Sequence, residues 1–528
     1  MLFTSYGFIA FLLVLFLAYY LLPKRWQWGL LLTASYVFYW FAGWECFIFI
    51  FATTLSAFFI ALWMQKRAAG EEEYLSAHKG EMDKETRKAY KAREKKKRFH
   101  ILLWGLVFNF GILAVLKYTG FAVYNLNGLL RSFGGEGLSI PNLLLPMGIS
   151  FYIFQTMGYL IDVYRGKTNA ERNPLKLALF VSFFPQLVQG PISRHSDLAS
   201  QLYTPHAFDL RGFTYGIQRI LWGYFKKLVI ADRVLVAMQT LLGSPEEYTG
   251  AYVFFLIIFY SIQIYADFTG GIDITIGIAE ALGIRLTENF KRPFSSGSTK
   301  EYWRRWHVTM GSWFTDYVFY PLSVCRPMMR LSKWSRRRLG AKIGKRVPVY
   351  LATVVTWYLT GLWHGAGWNF IVWGLLNCLV ILVSQELEPL YERFRKRFPR
   401  LTGSWGYGKF MAVRTFLLMG LIRSLDCYRD VGTTFRMWGS MATDLNLLQA
   451  LRGFFDLGLD PADWIIIGAG CLLMAAVSTL SAKRSVRERL YDRPVLSGAL
   501  TGALVLIVLL FGAYSIGYDA SQFIYNQF

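Results

Sequence analysis

The sequence is poor in charged residues and in cysteine. Charged side chains make up 17% of the 528 residues, and the five cysteines are scattered without a CxxC pair. A disulfide framework, a cysteine-bound metal and a catalytic cysteine therefore have no support. Acidic residues are the scarcer charge, with 34 Asp and Glu against 57 Lys and Arg. Because the basic residues lie beside apolar runs, we expect them to meet anionic membrane lipids, and no nucleic-acid partner is predicted.

Hydrophobic residues, by contrast, form 54% of the chain, in runs that recur from end to end. A soluble core does not need such runs, whereas membrane-spanning helices do. The sequence predicts an all-α, polytopic transmembrane bundle of roughly 11–13 spans, with re-entrant or interfacial helices around a central cavity. The predicted spans cover residues 6–22, 28–43, 46–64, 101–117, 143–163, 212–231, 251–283, 348–363, 368–387, 408–424, 464–480 and 497–517.

The distribution of basic residues predicts the topology. Lys24 and Arg25 follow the first apolar run instead of preceding it, which favours a retained span with an external N-terminus. The loop from Lys66 to Arg98 and the stretch from Arg326 to Arg346, which has nine Lys and Arg and no acid, are predicted to be cytoplasmic. The apolar piece at 308–324 has basic flanks on both sides, so we expect it to lie in the interface or to re-enter.

These observations divide the chain into five segments in a protein of the plasma membrane. Both termini are predicted to be extracytoplasmic. The segments are N-terminal transmembrane helices (1–64), a charged cytoplasmic loop that forms a solvated helix pair (65–100), a central core (101–425), an extracytoplasmic loop (426–463), and C-terminal transmembrane helices with a tail (464–528).

A lone histidine, His364, lies in the apolar stretch WHGAGWN at residues 363–369. An ionisable side chain at membrane depth is costly and marks a functional site by default. Glycines on both sides would allow a substrate to approach, and histidine titrates near neutral pH, as a general base must. We predict that His364 is catalytic and that Trp363 and Asn369 contact substrate. The alternative is a core histidine that donates a hydrogen bond to a backbone carbonyl.

A second histidine, His307, ends the run EYWRRWH at residues 301–307. Arg304 and Arg305 suit recognition of phosphate groups, and Trp303 would flank the same substrate. The alternative is an interfacial helix that these side chains anchor among headgroups. No HxxxH pair or carboxylate cluster accompanies the two histidines, so no metal and no resident cofactor is predicted.

Polar side chains also recur inside the apolar runs. Such groups must pair internally or line a wet cavity, and nearby glycines and prolines indicate broken helices. We predict that they form a polar tunnel for substrate, the alternative being structural pairing. The candidates are Gln155, Gln189, Gln263 and Asp267.

Tyr525, in the C-terminal FIYNQF, is a further candidate. Composition alone favours an aromatic residue at the membrane interface. A phenol can nevertheless carry an acyl group, and its ester is activated because phenolate leaves more readily than alkoxide.

Two of these stretches, 303–307 and 363–365, resemble the signature of the membrane-bound O-acyltransferase family. Further similar motifs are LPMGISFY at 145–152, DVYRG at 162–166, FFPQLVQGPISR at 183–194 and KKLVIAD at 226–232. The chain is most similar to the bacterial branch that acylates polysaccharides, by acetylation of alginate, peptidoglycan or cellulose or by D-alanylation of teichoic acid. The spans after about residue 440 favour the alginate type.

The resemblance implies that an acyl group, acetyl in the alginate type, leaves a cytoplasmic thioester and crosses the membrane. The donor would be acetyl-CoA or an acyl-carrier protein, and an extracytoplasmic serine hydrolase-like acyltransferase would place the acyl group on a polysaccharide. It implies that His364 is the catalytic base, with His307 in the same active site and Tyr525 as acyl acceptor. The chain departs from the alginate pattern at Asn526, where phenylalanine is common.

Two other functions remain open at this point. One is D-alanyl transfer to teichoic acid from a carrier protein. The other is transport of a lipid or glycan, because basic loops, broken helices and a polar tunnel suit a transporter equally well. A structural scaffold would need neither histidine.

Overall fold

The structure is a computed structural model that describes residues 2–514. All regular elements in this range are helices, which confirms the predicted all-α fold. The chain forms two compact units. The first comprises Met1–Thr214 and Ile278–Leu286, and the second comprises Tyr215–Gly277 and Thr287–Phe528.

Eight helices belong entirely to the first unit. They are α1 (Tyr6–Leu21), α2 (Gln27–Trp40), α3 (Phe47–Ala77), α4 (Lys84–Ser132), α5 (Ile149–Tyr164), α6 (Pro174–Ser182), α7 (Phe184–Leu187) and α8 (His195–Tyr203).

The remaining helices lie wholly or mainly in the second unit. They are α9 (Leu210–Tyr224), α10 (Asp232–Gly243), α11 (Ala251–Ala281), α12 (Thr299–Arg305), α13 (Val308–Phe314), α14 (Tyr320–Ser323), α15 (Arg326–Gly344), α16 (Val347–His364), α17 (Trp368–Glu386), α18 (Glu388–Arg397), α19 (Pro399–Thr402), α20 (Trp405–Tyr428), α21 (Val431–Thr443), α22 (Leu447–Arg452), α23 (Pro461–Leu480), α24 (Val486–Leu490) and α25 (Pro494–Phe511). Wider π-helical turns at Phe225–Ala231 and Thr315–Phe319 join α9 to α10 and α13 to α14.

A helix forms at each of the twelve predicted spans, although the last prediction extends past residue 514. Six of the described helices are long and apolar enough to cross a membrane by length and composition alone: α3, α4, α11, α17, α23 and α25. The helices at the other predicted spans are shorter or less apolar. The chain is therefore a multi-pass membrane protein, and its orientation in the membrane stays a prediction.

The charged segment 65–100 is helical almost throughout, because α3 continues to Ala77 and α4 begins at Lys84. Asp83 caps α4 by accepting hydrogen bonds from the first-turn backbone. Glu94 is buried between the two helices and accepts a hydrogen bond from Lys97 at 2.7 Å. The segment 426–463 likewise contains two helices, α21 and α22.

The span predicted to begin at residue 143 begins instead at Ile149, so that boundary was wrong. Gly148 has φ of 72°, in the left-handed region, and this conformation interrupts any helix that enters from the preceding residues. A Cβ at Gly148 would lie 2.2 Å from the backbone oxygen of Leu187. The close contact between these two chain segments thus decides where α5 begins.

Candidate active site

His364 is the last residue of α16, and three residues later α17 begins at Trp368. The two helices pack closely because glycines face each other. A Cβ at Gly361 would lie 2.4 Å from the backbone oxygen of Phe370, and one at Gly374 would lie 2.5 Å from that of Trp357. The glycines flanking His364 in sequence therefore belong to a tight helical hairpin that carries the imidazole at its turn.

His307 lies between α12 and α13, outside the long apolar helices, in an uncommon backbone conformation. Its φ of 49° and ψ of 52° are left-handed, which costs a residue with a Cβ on the order of 1–2 kcal/mol. Asn289 holds this turn: its backbone oxygen accepts from the Val308 amide at 3.0 Å and its side-chain oxygen from the Thr309 amide at 3.0 Å. Strain retained in this way is typical of functional sites.

The structure brings the two histidines to the same tryptophan, although they are 57 positions apart in sequence. The ring centroids of His307 and Trp363 are 5.7 Å apart, and those of Trp363 and His364 are 5.1 Å apart. The ring of Trp373 lies 4.6 Å from that of His364. Both histidines predicted to be catalytic therefore share one aromatic cluster in the second unit.

The imidazole of His307 is fully buried, and neither of its ring nitrogens has a hydrogen-bond partner among residues 2–514. Burial, together with the guanidinium of Arg423, lowers the pKa of His307 to about 3, so the neutral ring is the resting form. The Phe268 ring packs edge-on at 5.1 Å. A neutral, unpartnered imidazole of this kind can accept or donate a hydrogen bond to a bound substrate.

Trp303 packs against the same cluster, and Asn369 lies near the start of α17. The indole nitrogen of Trp303 donates a hydrogen bond to the side-chain oxygen of Asn377 at 3.2 Å, and its ring packs edge-on against Trp373 at 5.6 Å. The amide nitrogen of Asn369 donates to the backbone oxygen of Leu425 at 3.4 Å. These contacts hold both side chains in place, and their contact with substrate stays a prediction.

The two predicted phosphate-binding arginines differ in their surroundings. Arg305 donates hydrogen bonds to the carboxylate of Glu301 at 2.6 Å and to the hydroxyl of Ser295 at 2.8 Å. Arg304 is exposed. Of the pair, Arg304 is thus the more accessible to an anionic substrate group.

Asp267 forms an ion cluster with two residues beside α11. The ammonium nitrogen of Lys227 lies 2.7 Å from a carboxylate oxygen of Asp267 and 2.7 Å from one of Asp232, and all three side chains are almost completely buried. Gln263, one turn earlier on α11, is also buried. The arrangement provides Asp267 with a counter-ion inside the protein.

Gln155 and Gln189 belong to the first unit. Gln155 donates to the backbone oxygen of Phe180 at 2.8 Å and accepts from the amide of Gln186 at 3.0 Å. The hydroxyl of Ser193 donates in turn to Gln186 at 3.0 Å. Gln189 is completely buried, and its carboxamide has no hydrogen-bond partner within the described range 2–514. Gln155 is therefore part of a chain of hydrogen bonds within the first unit. The carboxamide of Gln189 can still form hydrogen bonds.

Tyr525 and its neighbour Asn526 lie outside the described residues.

Arg423 belongs to the cluster but was missed by the sequence reasoning. It lies on α20, is 5% exposed, and its guanidinium carbon is 4.4 Å above the ring centroid of Trp306 and 6.0 Å from that of Trp373. An ionisable residue inside the predicted span 408–424 is itself a signal of function. The sequence therefore marked Arg423 as unusual, but it did not show that Arg423 packs against the tryptophans of the histidine cluster.

The sequence that forms this site is similar to those of known proteins. The sequence profile of the MBOAT, membrane-bound O-acyltransferase family, matches residues 170–425, which include both histidines. A protein named "Probable alginate O-acetylase AlgI" from Pseudomonas putida is 34% identical over an alignment that covers 100% of both chains. The chain belongs to the membrane-bound O-acyltransferase family. It is therefore an O-acyltransferase, as the motifs predicted.

Two further relatives indicate the branch of the family to which this acyltransferase is similar. A protein of the same name from Azotobacter vinelandii is 36% identical over 391 residues, which are 74% of this chain and 69% of the relative. The peptidoglycan O-acetyltransferase of Helicobacter pylori is 30% identical over 326 residues, which are 57% of this chain and 58% of the relative. The predicted resemblance to the bacterial polysaccharide branch is thereby confirmed.

Proposed function

We propose that this acyltransferase takes an acetyl group from a cytoplasmic thioester and passes it across the membrane for O-acetylation of an extracellular or cell-wall polysaccharide. The relatives named for alginate and peptidoglycan acetylation support the acyl group and the acceptor class. The donor is acetyl-CoA or an acyl-carrier protein, and a serine hydrolase-like acyltransferase outside the membrane completes the transfer. The N- and C-termini then face the extracytoplasmic side.

The observation that carries this proposal is the pair of histidines that both pack against Trp363, at ring separations of 5.7 and 5.1 Å. An acyl transfer needs one group to remove a proton from the acceptor and others to position the thioester. His364 serves as the general base, and neutral His307 positions the donor by a hydrogen bond. The exposed Arg304 and the basic α15 attract the anionic groups of the donor.

The chemistry requires no covalent protein nucleophile other than the acceptor itself. The acceptor hydroxyl, that of Tyr525, forms a bond from its oxygen to the thioester carbonyl carbon while its proton passes to His364. The carbon–sulfur bond then breaks, and the departing thiolate recovers the proton from His364. The products are an acetylated tyrosine and a free thiol, and the tyrosyl ester is the activated form that the external partner consumes.

Other predicted residues take supporting roles in this proposal. Trp303, Trp363 and Asn369 shape the donor site. Gln189 in the first unit and Gln263 in the second unit each offer hydrogen bonds to substrate, and Gln155 holds the first-unit segment at Gln186 in place.

The test uses purified protein in nanodiscs with radiolabelled acetyl-CoA, and in parallel with an acetylated carrier protein. Thiol release and mass spectrometry of the C-terminal peptide are measured. We expect thiol release with an adduct of one acetyl group on Tyr525, and neither in His364→Ala. The matched control is His100→Ala, because His100 is an exposed histidine on α4.

Thiol release by His364→Ala at the wild-type rate would contradict the role of His364. Thiol release without an adduct on Tyr525 would move the acceptor elsewhere. If wild type cleaved neither thioester, the transport function would replace this proposal.

A further inference from the structure

The cluster contains a buried cation that the mechanism above does not use. Arg423 lies on α20 and is 5% exposed, near the hydroxyl of Tyr302 and the buried carboxyl of Asp426. Burying a guanidinium costs several kcal/mol, on the order of the desolvation penalty of an ion, unless its surroundings compensate for it. Ionisable residues in such segments face protein interiors or substrate paths. The position of Arg423 therefore calls for a role beyond helix packing.

Two tryptophan rings connect the guanidinium of Arg423 to the histidines. It stacks over Trp306, the residue immediately before His307, with its carbon 4.4 Å from the ring centroid. The ring of Trp306 also stacks nearly parallel with that of Tyr302, at 5.5 Å and 12°. Trp373, which packs against His364, lies 6.0 Å from the same guanidinium carbon. Such cation–π contacts hold the guanidinium in place.

The guanidinium also lines a narrow recess within the second unit. Phe294 and Phe416 form apolar walls of this recess, and Ser261, Tyr302 and Arg423 supply polar groups. The recess has a small-residue wall, since a Cβ at position 420 would lie 2.7 Å from a hydroxyl oxygen. The recess has room for about one water-sized group, such as a carbonyl oxygen.

The reaction creates such a group. When the acceptor oxygen bonds to the thioester carbonyl carbon, the π electrons of the carbonyl move to its oxygen, which becomes an oxyanion. They return when the carbon–sulfur bond breaks. A fixed positive charge in a site with little water stabilises that oxyanion far more than it would in bulk water. His307 rests as a neutral ring and supplies no charge. His364 becomes cationic when it takes the proton, but it must return that proton to the departing thiolate.

We propose that Arg423 and the recess beside it form the subsite for the acyl carbonyl, with the guanidinium stabilising the oxyanion of the tetrahedral intermediate. This inference rests on the proposed acyl transfer. It assigns Arg423 to contact with the reacting atoms, and it assigns Tyr302 to positioning through its stacking on Trp306.

The test compares Arg423→Ala, Arg423→Lys and wild type in thioester cleavage, using acetyl-CoA and an acetylated carrier protein as donors. We expect kcat, taken here as the first-order rate constant of thiol release at saturating donor, to fall by about 100- to 1,000-fold in Arg423→Ala, with an intermediate loss in Arg423→Lys. Donor affinity, measured separately by equilibrium binding, should change little, because the oxyanion exists only after attack. Guanidinium ion added to Arg423→Ala should restore part of kcat.

The matched control is Arg414→Ala, which removes an exposed arginine from the same helix and should leave kcat unchanged. Size-exclusion chromatography and thermal unfolding establish that each variant is folded. If Arg423→Ala does not fold, Arg423→Lys, which keeps the charge, is compared with wild type in its place.

Each result decides between the two proposals. If wild type cleaves neither thioester, the proposed acyl transfer fails, and the subsite fails with it. If wild type turns over and a folded Arg423 variant keeps kcat within threefold, the acyl transfer stands and the subsite is wrong. A weakened donor affinity at unchanged kcat would also overturn it, because Arg423 would then bind the donor in its ground state.

Discussion

Substitutions in the ion cluster of Lys227, Asp232 and Asp267 can show whether Asp267 has a structural or a catalytic role. Both Lys227 contacts are 2.7 Å long, and the side chains are between 0 and 1% exposed. The substitution Lys227→Met keeps most of the side-chain volume and removes the positive charge. Two carboxylates would then face each other in a buried site, where neither can be solvated.

The magnitude follows from that geometry. Removing one partner of a buried ion pair costs about 3–5 kcal/mol, and Lys227 serves two carboxylates, so we expect the upper part of this range. For a chain of this size, whose unfolding entropy is about 1.1 kcal/mol/K, a loss of that order lowers the apparent melting temperature by roughly 4 °C. Asp267→Asn should cost only about 1–2 kcal/mol, because Lys227 keeps Asp232 as a partner.

The assay is thermal unfolding in detergent together with thioester cleavage per folded molecule. An exposed lysine provides the matched control, Lys91→Met on α4, which should leave both unchanged. A structural role for Asp267 predicts that Asp267→Asn lowers the melting temperature and keeps turnover. If Asp267→Asn melted like wild type but lost turnover by 100-fold or more, the carboxylate would act on substrate and the structural argument would be refuted.

Two further substitutions test the packing and the charge state of the site. Gly361→Ala should destabilise the protein by about 1–3 kcal/mol or more and reduce turnover, because the new Cβ would lie 2.4 Å from the Phe370 oxygen. Gly439→Ala on α21, where no atom lies within 4 Å, should be neutral or slightly stabilising. His307 has a folded pKa of about 3 against 6.5 when unfolded, so only the unfolded state takes up its proton as the pH falls below 6.5. Its contribution to stability is complete above pH 6.5 and about 2 kcal/mol smaller at pH 5. Melting curves of His307→Gln should depend less steeply on pH between 7 and 5 than those of wild type, and a slope unchanged from wild type would contradict the neutral state.

The helical fold and the site histidines could be read from the sequence because each depends on local information. Apolar runs of spanning length, the glycines beside His364 and the basic run before His307 are all contiguous in the chain. The boundary at Gly148 was missed, because it depends on contact with Leu187 in another segment.

The polar residues show the limit of local information most clearly. Asp267 and Gln189 looked alike in sequence, as polar groups inside apolar runs. The structure pairs Asp267 with Lys227 and leaves the carboxamide of Gln189 without a hydrogen-bond partner among residues 2–514. Whether a buried polar group is satisfied depends on which helix packs against it.

By itself, then, the sequence determined the class of protein, the positions of its helices and the family, because hydropathy, turn residues and short motifs are local properties. The tertiary structure alone decided that His307 and His364 share Trp363, and that Arg423 lies with them over Trp306. These contacts join the turn between α12 and α13 to α16 and α20, which are far apart in the chain. Their meeting depends on how glycines and aromatic rings let the helices pack, and no single segment contains that information.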